Sequence, residues 1–369
     1  MLFFSVPMIL GNLLQQLYNI ADTLIVGRFI GTGALAAVGS AYTLMTFIIS
    51  ILLGMCMGSG AIFSIRFGEK RWDHLRENIF TSFVMIAFFS AVLNILSFVM
   101  IDAIMRFISV PDEVYGLMRE YLLVVFCGIF ASFLYNFFAS LLRAVGNSMM
   151  PLVFLGVSAV LNIALDLVFV LGFDMGVGGA ALATVISQWI AGAGMMFYTL
   201  VKCPELRPQR KDMKITAAGL GEITGASVLT CLQQSVMNLG ILMVQGLVNS
   251  FGTAVMAAFA AAVKIDAFAY MPLQDFGNAF STFTAQNYGA RKEERIRKGI
   301  RSALCSMLIF SAVISTCVLV FAKPLLMIFI RGSETEILSI GVTYLHVVGA
   351  FYFGIGGLFM LYGLYRALN

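Results

Sequence analysis

Charge is scarce in this chain. Only 11% of its 369 residues are Asp, Glu, Lys or Arg, against about 25% in a soluble globular domain. Histidine is scarcer, with only His74 and His346, which argues against a metal centre built on imidazoles. The six cysteines (Cys56, Cys127, Cys203, Cys231, Cys305, Cys317) show no CxxC spacing and mostly sit inside apolar runs. They read as small core residues. The first apolar run lacks a basic leader and is long enough to span a bilayer, so it does not read as a cleaved signal. No nucleophile–base pair or metal motif stands out, so neither an enzyme nor a bound cofactor is expected. The net charge of +4 reflects loop residues and gives no reason to expect a nucleic-acid partner.

What the chain has is apolar surface. Its residues are 60% hydrophobic, with a mean hydropathy of +0.94. No soluble protein of this size has enough interior for that much apolar surface, so the expected partner is the lipid bilayer. Spanning structures must close their backbone hydrogen bonds internally, which leaves helices or a closed barrel. Apolar runs fall near 2–27, 35–65, 78–101, 118–142, 150–173, 177–200, 223–249, 254–286, 299–322 and 340–365. Runs of this length without period-2 alternation exclude the barrel. An all-α polytopic membrane protein with about ten spans is expected.

The basic residues give an orientation. The breaks after spans two, four, six, eight and ten carry 17 Lys and Arg. The opposite side carries Arg28, Arg106, Arg119, Lys323 and Arg331, and Lys264 lies inside span eight. The basic side is expected to be cytoplasmic, and the N-terminus with it.

The chain resembles itself. "FGEKRWDHLRENI" (67–79) aligns with "YGARKEERIRKGI" (288–300) at an offset of 221. "LLQQ" (13–16) aligns with "CLQQ" (231–234) at 218, "YLLVV" (121–125) with "YLHVV" (344–348) at 223, and "LRAVGN" (142–147) loosely with "YRALN" (365–369). The unit is six helices, and an even number keeps both copies in one topology. This parallel repeat predicts two pseudo-symmetric six-helix bundles around a central cavity. Spans five and six have no second copy before residue 369, so twelve helices are expected of a complete molecule. The expected organisation is a first lobe over 1–201, a basic cytoplasmic linker over 202–222, and an incomplete second lobe over 223–369.

Polar side chains at bilayer depth are costly and usually serve function. In span one Gln15, Tyr18, Asn19 and Asp22 form one helical stripe. Span five carries Ser158, Asn162 and Asp166, and span six Thr184 and Gln188. These stripes are expected to face one another. Two carboxylates with amide and hydroxyl oxygens suit a hard cation or a proton, or else a polar network that only holds helices together. Asp22 maps onto Gly240 or Met243 in the second copy, so packing does not require an acid there. Span eight adds Lys264, Asp266, Pro272 and Asp275, and span seven Gln233, Gln234, Asn238 and Gln245. Lys264 and Asp266 are two residues apart and should face different partners, and Pro272 should kink its helix.

Three stretches carry a resemblance: "GNLLQQLYNIADTLIVGRFIG", "LNIALDLVFVLGFDMGVGGAALATVISQ" and "FSTFTAQNYGARK". In these the chain resembles the multidrug and toxic compound extrusion (MATE) transporters, most of all the bacterial DinF-like branch. The resemblance implies twelve helices in two lobes in the inner membrane, and a monomer. It implies antiport of H+ or Na+ against small amphipathic, often cationic substrates. By motif it implies cation coupling at Asp22, Tyr18, Asn136, Asn162, Asp166 and Thr184, with Asp22, Asn162, Asp166 and Thr184 around a Na+ if that is the ion. Cavity or gating roles are expected of Gln15, Asn19, Gln188, Gln234, Asn238, Lys264, Asp266 and Asp275. The sister branch's span-seven glutamate is matched here only by Gln233 and Gln234. A lipid-linked saccharide flippase and a non-transporting receptor or assembly subunit are the alternatives.

Overall fold

The computed structural model of the chain describes residues 2–107, 110, 112–249, 251, 253–330 and 332–368. Arg331 and Asn369 lie outside the described residues, as does the side chain of Gln245. Helix accounts for 89% of the structure, with no strand among the described residues. Each apolar run becomes one helix or one bent pair. The first is α1 (Leu2–Ile25) with a π-helical turn over Val26–Ile30, and the second is α2 (Thr32–Gly68). Helix α3 (Trp72–Val99) is followed by the short α4 (Ile101–Phe107). Run four is the pair α5 (Asp112–Phe126) and α6 (Ile129–Ala144). Run five is α7 (Met149–Asp166) with a second π-helical turn, Leu167–Gly172, and run six is α8 (Gly176–Lys202). Then come α9 (Ala217–Asn249), α10 (Thr253–Gly289) and α11 (Glu293–Leu326). Run ten is the pair α12 (Thr335–Ala350) and α13 (Tyr352–Leu368).

Helices α2, α3, α7 with its π turn, α8 and α11 are each long and apolar enough to cross a membrane, and the two bent pairs raise that number to seven. Helices α1, α9 and α10 have the length, at 24, 33 and 37 residues, but amide and charged side chains interrupt their apolar faces. Pro272 is accommodated inside α10, which continues through it.

The chain forms two compact units, Leu10–Ser235 and Met1–Ile9 with Val236–Asn369. Within the first, α2 packs on α3, α5 and α6, and α8 on α5, α6 and α7. Within the second, α10 packs on α11, α12 and α13. The repeat is visible in the detail of each. The α5–α6 pair bends by 46° and the α12–α13 pair by 48°, at equivalent positions. A break frees backbone carbonyls that lipid cannot satisfy. Asn94 Nδ2 donates to Phe126 O at 2.6 Å, and Ser315 Oγ donates to Gly349 O at 2.6 Å. Ser315 is 221 residues after Asn94, and Gly349 is 223 after Phe126, so donor and acceptor are both repeat counterparts. The helix crossing is duplicated too. A Cβ on Gly60 would meet Ser140 Cβ at 3.3 Å, and one on Gly363 would meet Ser281 Cβ at 3.4 Å. Glycine and serine have changed helices between the copies.

The segment after α8 is docked on the first unit. Leu206 is buried in that unit's core. Asp212 is buried, accepting from Arg76 Nε at 2.9 Å and from Gln209 N at 3.0 Å. Lys211 pairs with Asp73 at 2.9 Å and Arg66 with Glu222 at 2.6 Å. The start of α9 then lies close against α2. Ser59 and Ser227 hydroxyls are 3.2 Å apart, and a Cβ on Gly58 would come within 2.5 Å of Ala226 O. Only a residue without a Cβ permits that approach.

Candidate functional site

The first unit brings the polar stripes of α1, α7 and α8 together. Helical spacing aligns each stripe, and packing of α7 on α8 joins two of them. Asn162 Nδ2 donates to Thr184 Oγ1 at 3.2 Å. Ser158 Oγ donates to the backbone carbonyl of Ser187 at 3.0 Å. Tyr18 and Thr184 share a hydrogen bond through their hydroxyls. The carboxyl groups of Asp22 and Asp166 lie within electrostatic reach of each other.

The surroundings of that pair are dry. Asp166 is wholly buried, Asn162 is 1% exposed and Asp22 9%. Asp22 Oδ1, both Asp166 oxygens and Asn162 Oδ1 are buried and receive no donated hydrogen. Among the described residues neither acid forms an ion pair with a basic side chain. Two carboxylates within electrostatic reach repel each other strongly where the dielectric is low. The arrangement is favourable only with a shared proton or a cation between them. Four acceptor oxygens and the Thr184 hydroxyl form a donor set of hard oxygens, which fits a proton or Na+.

The backbone near both acids is irregular. The π-helical turn Leu167–Gly172 begins directly after Asp166, and Val26–Ile30 begins four residues after Asp22. Such turns often mark functional positions, because they re-aim side chains within a helix.

Two tyrosines complete the surroundings without having been expected from the sequence. Tyr121 of α5 is buried within electrostatic reach of Asp22, Tyr18 and Asp166. Tyr42 of α2 accepts from Asn19 Nδ2 at 3.4 Å and lies near Tyr18. Tyr121 could have been noticed, since it opens the repeated "YLLVV".

Other expected residues lie apart. Asn136 Nδ2 donates to Ser132 O of its own helix at 2.8 Å, and no described hydrogen bond joins it to the acid pair. Gln15 is exposed and Asn19 half-buried. Gln188 Oε1 is buried without a donor, beside Gly128 at the α5–α6 break. Gln234 is buried in the first unit. In the second unit Asn238 is half-buried and Asp275 is 3% exposed. Lys264 and Asp266 diverge as expected. Lys264 Nζ lies 5.6 Å from the Phe329 ring centroid, and Asp266 is within electrostatic reach of Tyr352.

Comparison with known proteins gives the same fold and a family. The family model described as MatE matches residues 7–168 and 226–369, two stretches that start 219 positions apart. The probable multidrug resistance protein YpnP of Bacillus subtilis is 30% identical over 369 residues, covering 100% of this chain and 82% of the relative. The probable multidrug resistance protein YoeA of the same organism is 28% identical over 342 residues, covering 91% and 74%. The solved structure of a MOP superfamily transporter from Pyrococcus furiosus superposes with a TM-score of 0.92 at 22% identity, covering 99% of this chain and 81% of that one. A family model matching both halves, and a relative 30% identical along the whole length, show that this multi-pass membrane protein belongs to the MATE family of transporters, not to any family of enzymes.

Proposed function

We propose that the chain is a secondary active efflux antiporter that exchanges H+ or Na+ for small amphipathic, often cationic compounds. The observation that carries this reading is the pair of acids, Asp22 and Asp166, within electrostatic reach of each other and with buried oxygens lacking donors. In the outward-open state the pair takes up the ion. Binding neutralises buried charge and changes how α1, α7 and α8 pack, so the ion biases the populations of the two states. If the ion is Na+, Asp22, Asn162, Asp166 and Thr184 hold it. On the cytoplasmic side the ion leaves, and the freed carboxylates favour a cationic substrate. Thr184 joins the elements, because it accepts from Asn162 and is bonded to Tyr18.

The names of the relatives, multidrug resistance proteins, support efflux of varied compounds. A flippase for lipid-linked diphosphates would want several basic side chains in its cavity. Lys264 lies over an aromatic ring instead. The excess of basic residues in alternate loops supports an inner-membrane protein with a cytoplasmic N-terminus, and a monomer is sufficient for the mechanism.

Efflux of a fluorescent organic cation from proteoliposomes, under imposed pH or sodium gradients, tests the proposal. Asp22→Asn and Asp166→Asn should each reduce gradient-driven efflux by about tenfold or more, a coupling loss of at least ~1.4 kcal/mol. Gradient-driven efflux that is unchanged in both variants refutes the assignment.

A further inference from the structure

The second unit contains an acid that the coupling reading leaves unused. Asp266 lies in the N-terminal half of α10, in none of the ion pairs among the described residues. Its Oδ1 is buried without a hydrogen-bond partner. The titratable groups facing it come from the helices packed on α10. Tyr352 of α13 is fully buried, stands within electrostatic reach of the carboxyl, and has a hydroxyl with no hydrogen-bond partner. Tyr344 of α12 stands within electrostatic reach, its ring edge-on to Phe259 at 5.3 Å. No titratable side chain of α11 reaches it among the described residues. The basic groups of the unit's interior are engaged elsewhere. Lys264 lies over Phe329, and Arg366 Nη1 donates to Asn278 Oδ1 at 3.1 Å. Asp275 is nine residues on, roughly 13 Å along the helix.

The repeat sharpens this. Tyr344 is the counterpart of Tyr121, at the offset that aligns "YLLVV" with "YLHVV". Tyr121 stands beside the first unit's acid pair. Asp266 itself maps onto Met45, a buried core residue of the first unit, so packing in that position does not call for an acid. Each unit therefore sets an acid beside the same repeated tyrosine, but supplies that acid from a different helix.

We infer that Asp266, with Tyr344 and Tyr352, forms a second proton-binding station, located in the second unit. The inference rests on the proton-coupled form of the proposed function. The donor set is one carboxyl and two phenols. A hard metal cation seeks about six oxygens, so these four, two of them phenol hydroxyls, fit a proton instead. The step is a simple transfer. The carboxylate takes H+ from water on one side, becomes a neutral acid beside the two phenols, and returns H+ to water on the other.

Dicyclohexylcarbodiimide tests the station, because it modifies protonated carboxyls in apolar surroundings. The full chain in lipid nanodiscs is treated across an acidic to mildly alkaline range, and the peptide containing residue 266 is weighed. Labelling at Asp266 should rise as the pH falls. Tyr352→Phe should raise the labelled fraction at neutral pH by about twofold or more, because a hydroxyl dipole near the ionised form is lost. Proton uptake by Asp266→Asn should fall by about one proton per chain relative to the wild type. An Asp266 that stays unlabelled throughout, while the Asp22 and Asp166 peptides are labelled, overturns the station and leaves the first site intact. Labelling of Asp266 with gradient-driven efflux unaffected in Asp22→Asn and Asp166→Asn has the opposite meaning: the station stands and the first-site coupling falls.

Discussion

Gly58→Ala isolates the contact between α2 and the start of α9. A methyl at 58 would lie 2.5 Å from Ala226 O and 2.7 Å from both Ala226 C and Ser227 Cα. All three are backbone atoms, so no rotamer change relieves the clash. Ordinary contact begins near 3.4 Å, which requires α9 to retreat by about 0.9 Å. That retreat opens the Ser59–Ser227 pair from 3.2 Å to about 4.1 Å, beyond hydrogen bonding. It also lengthens the bond from Ser227 Oγ to Met55 O, now 3.2 Å. Overpacking costs ~1–3 kcal/mol, and each lost hydrogen bond adds about 1 kcal/mol. A total of about 2–4 kcal/mol follows. Gly221→Ala is the control, since nothing lies within 4 Å of a Cβ there. It should gain up to about 1 kcal/mol from helix propensity. Thermal unfolding in one detergent should rank Gly221→Ala above wild type and Gly58→Ala several degrees below it. If Gly58→Ala melts with Gly221→Ala, the close approach of α9 to α2 does not exist and the argument fails.

Arg76→Gln removes the charged partner of Asp212, whose side chain is only 4% exposed. It should cost about 2–3 kcal/mol and make the 203–216 segment sensitive to protease, and resistance equal to wild type would count against the docked linker. Ser315→Ala and Asn94→Ala each leave a carbonyl unsatisfied at a helix break, and each should lose about 1 kcal/mol in the same melting assay. At the α4–α5 corner, bonds from Arg119 Nε at 2.9 Å and Tyr115 OH at 2.9 Å hold the Asp102 carboxyl below the usual carboxylate range. Its contribution is therefore present at neutral pH and lost only as pH falls below about 3.9, through the lowered value. Amide exchange over 101–107, corrected for intrinsic rate, should accelerate across that window in wild type and show no such step in Asp102→Asn.

Much of this was legible in the sequence, for local reasons. The ten apolar runs appear as helices because segment length and hydropathy are properties of each segment alone. The stripes of Tyr18 and Asp22, Asn162 and Asp166, and Thr184 meet because helical spacing had already put each set on one face. The repeat was visible through its charged loop and "YLLVV" motif, and it foretold paired architecture. The breaks at Cys127–Gly128 and Phe351 were not visible. Neither contains proline, and what permits them is a donor on another helix, Asn94 or Ser315. Tyr121 was missed because span four carries no polar stripe around it. The docking of 203–216 was hidden for a similar reason: Asp212 looks like one more loop charge until Arg76, 136 residues away, is brought beside it.

The exchange of glycine and serine at the duplicated crossing bears on how freely the halves can trade parts. At Gly60–Ser140 and at Gly363–Ser281 one hydroxymethyl group fills the crossing, borne by the helix pair's first member in one copy and by its second in the other. A chimera that moves a single helix from one half to the other would place two serines, or two glycines, at the same crossing. The first overfills it and the second leaves a gap. The two copies remain alike in shape while their helices are no longer interchangeable one at a time. The residues at this crossing can be inherited or altered only as pairs.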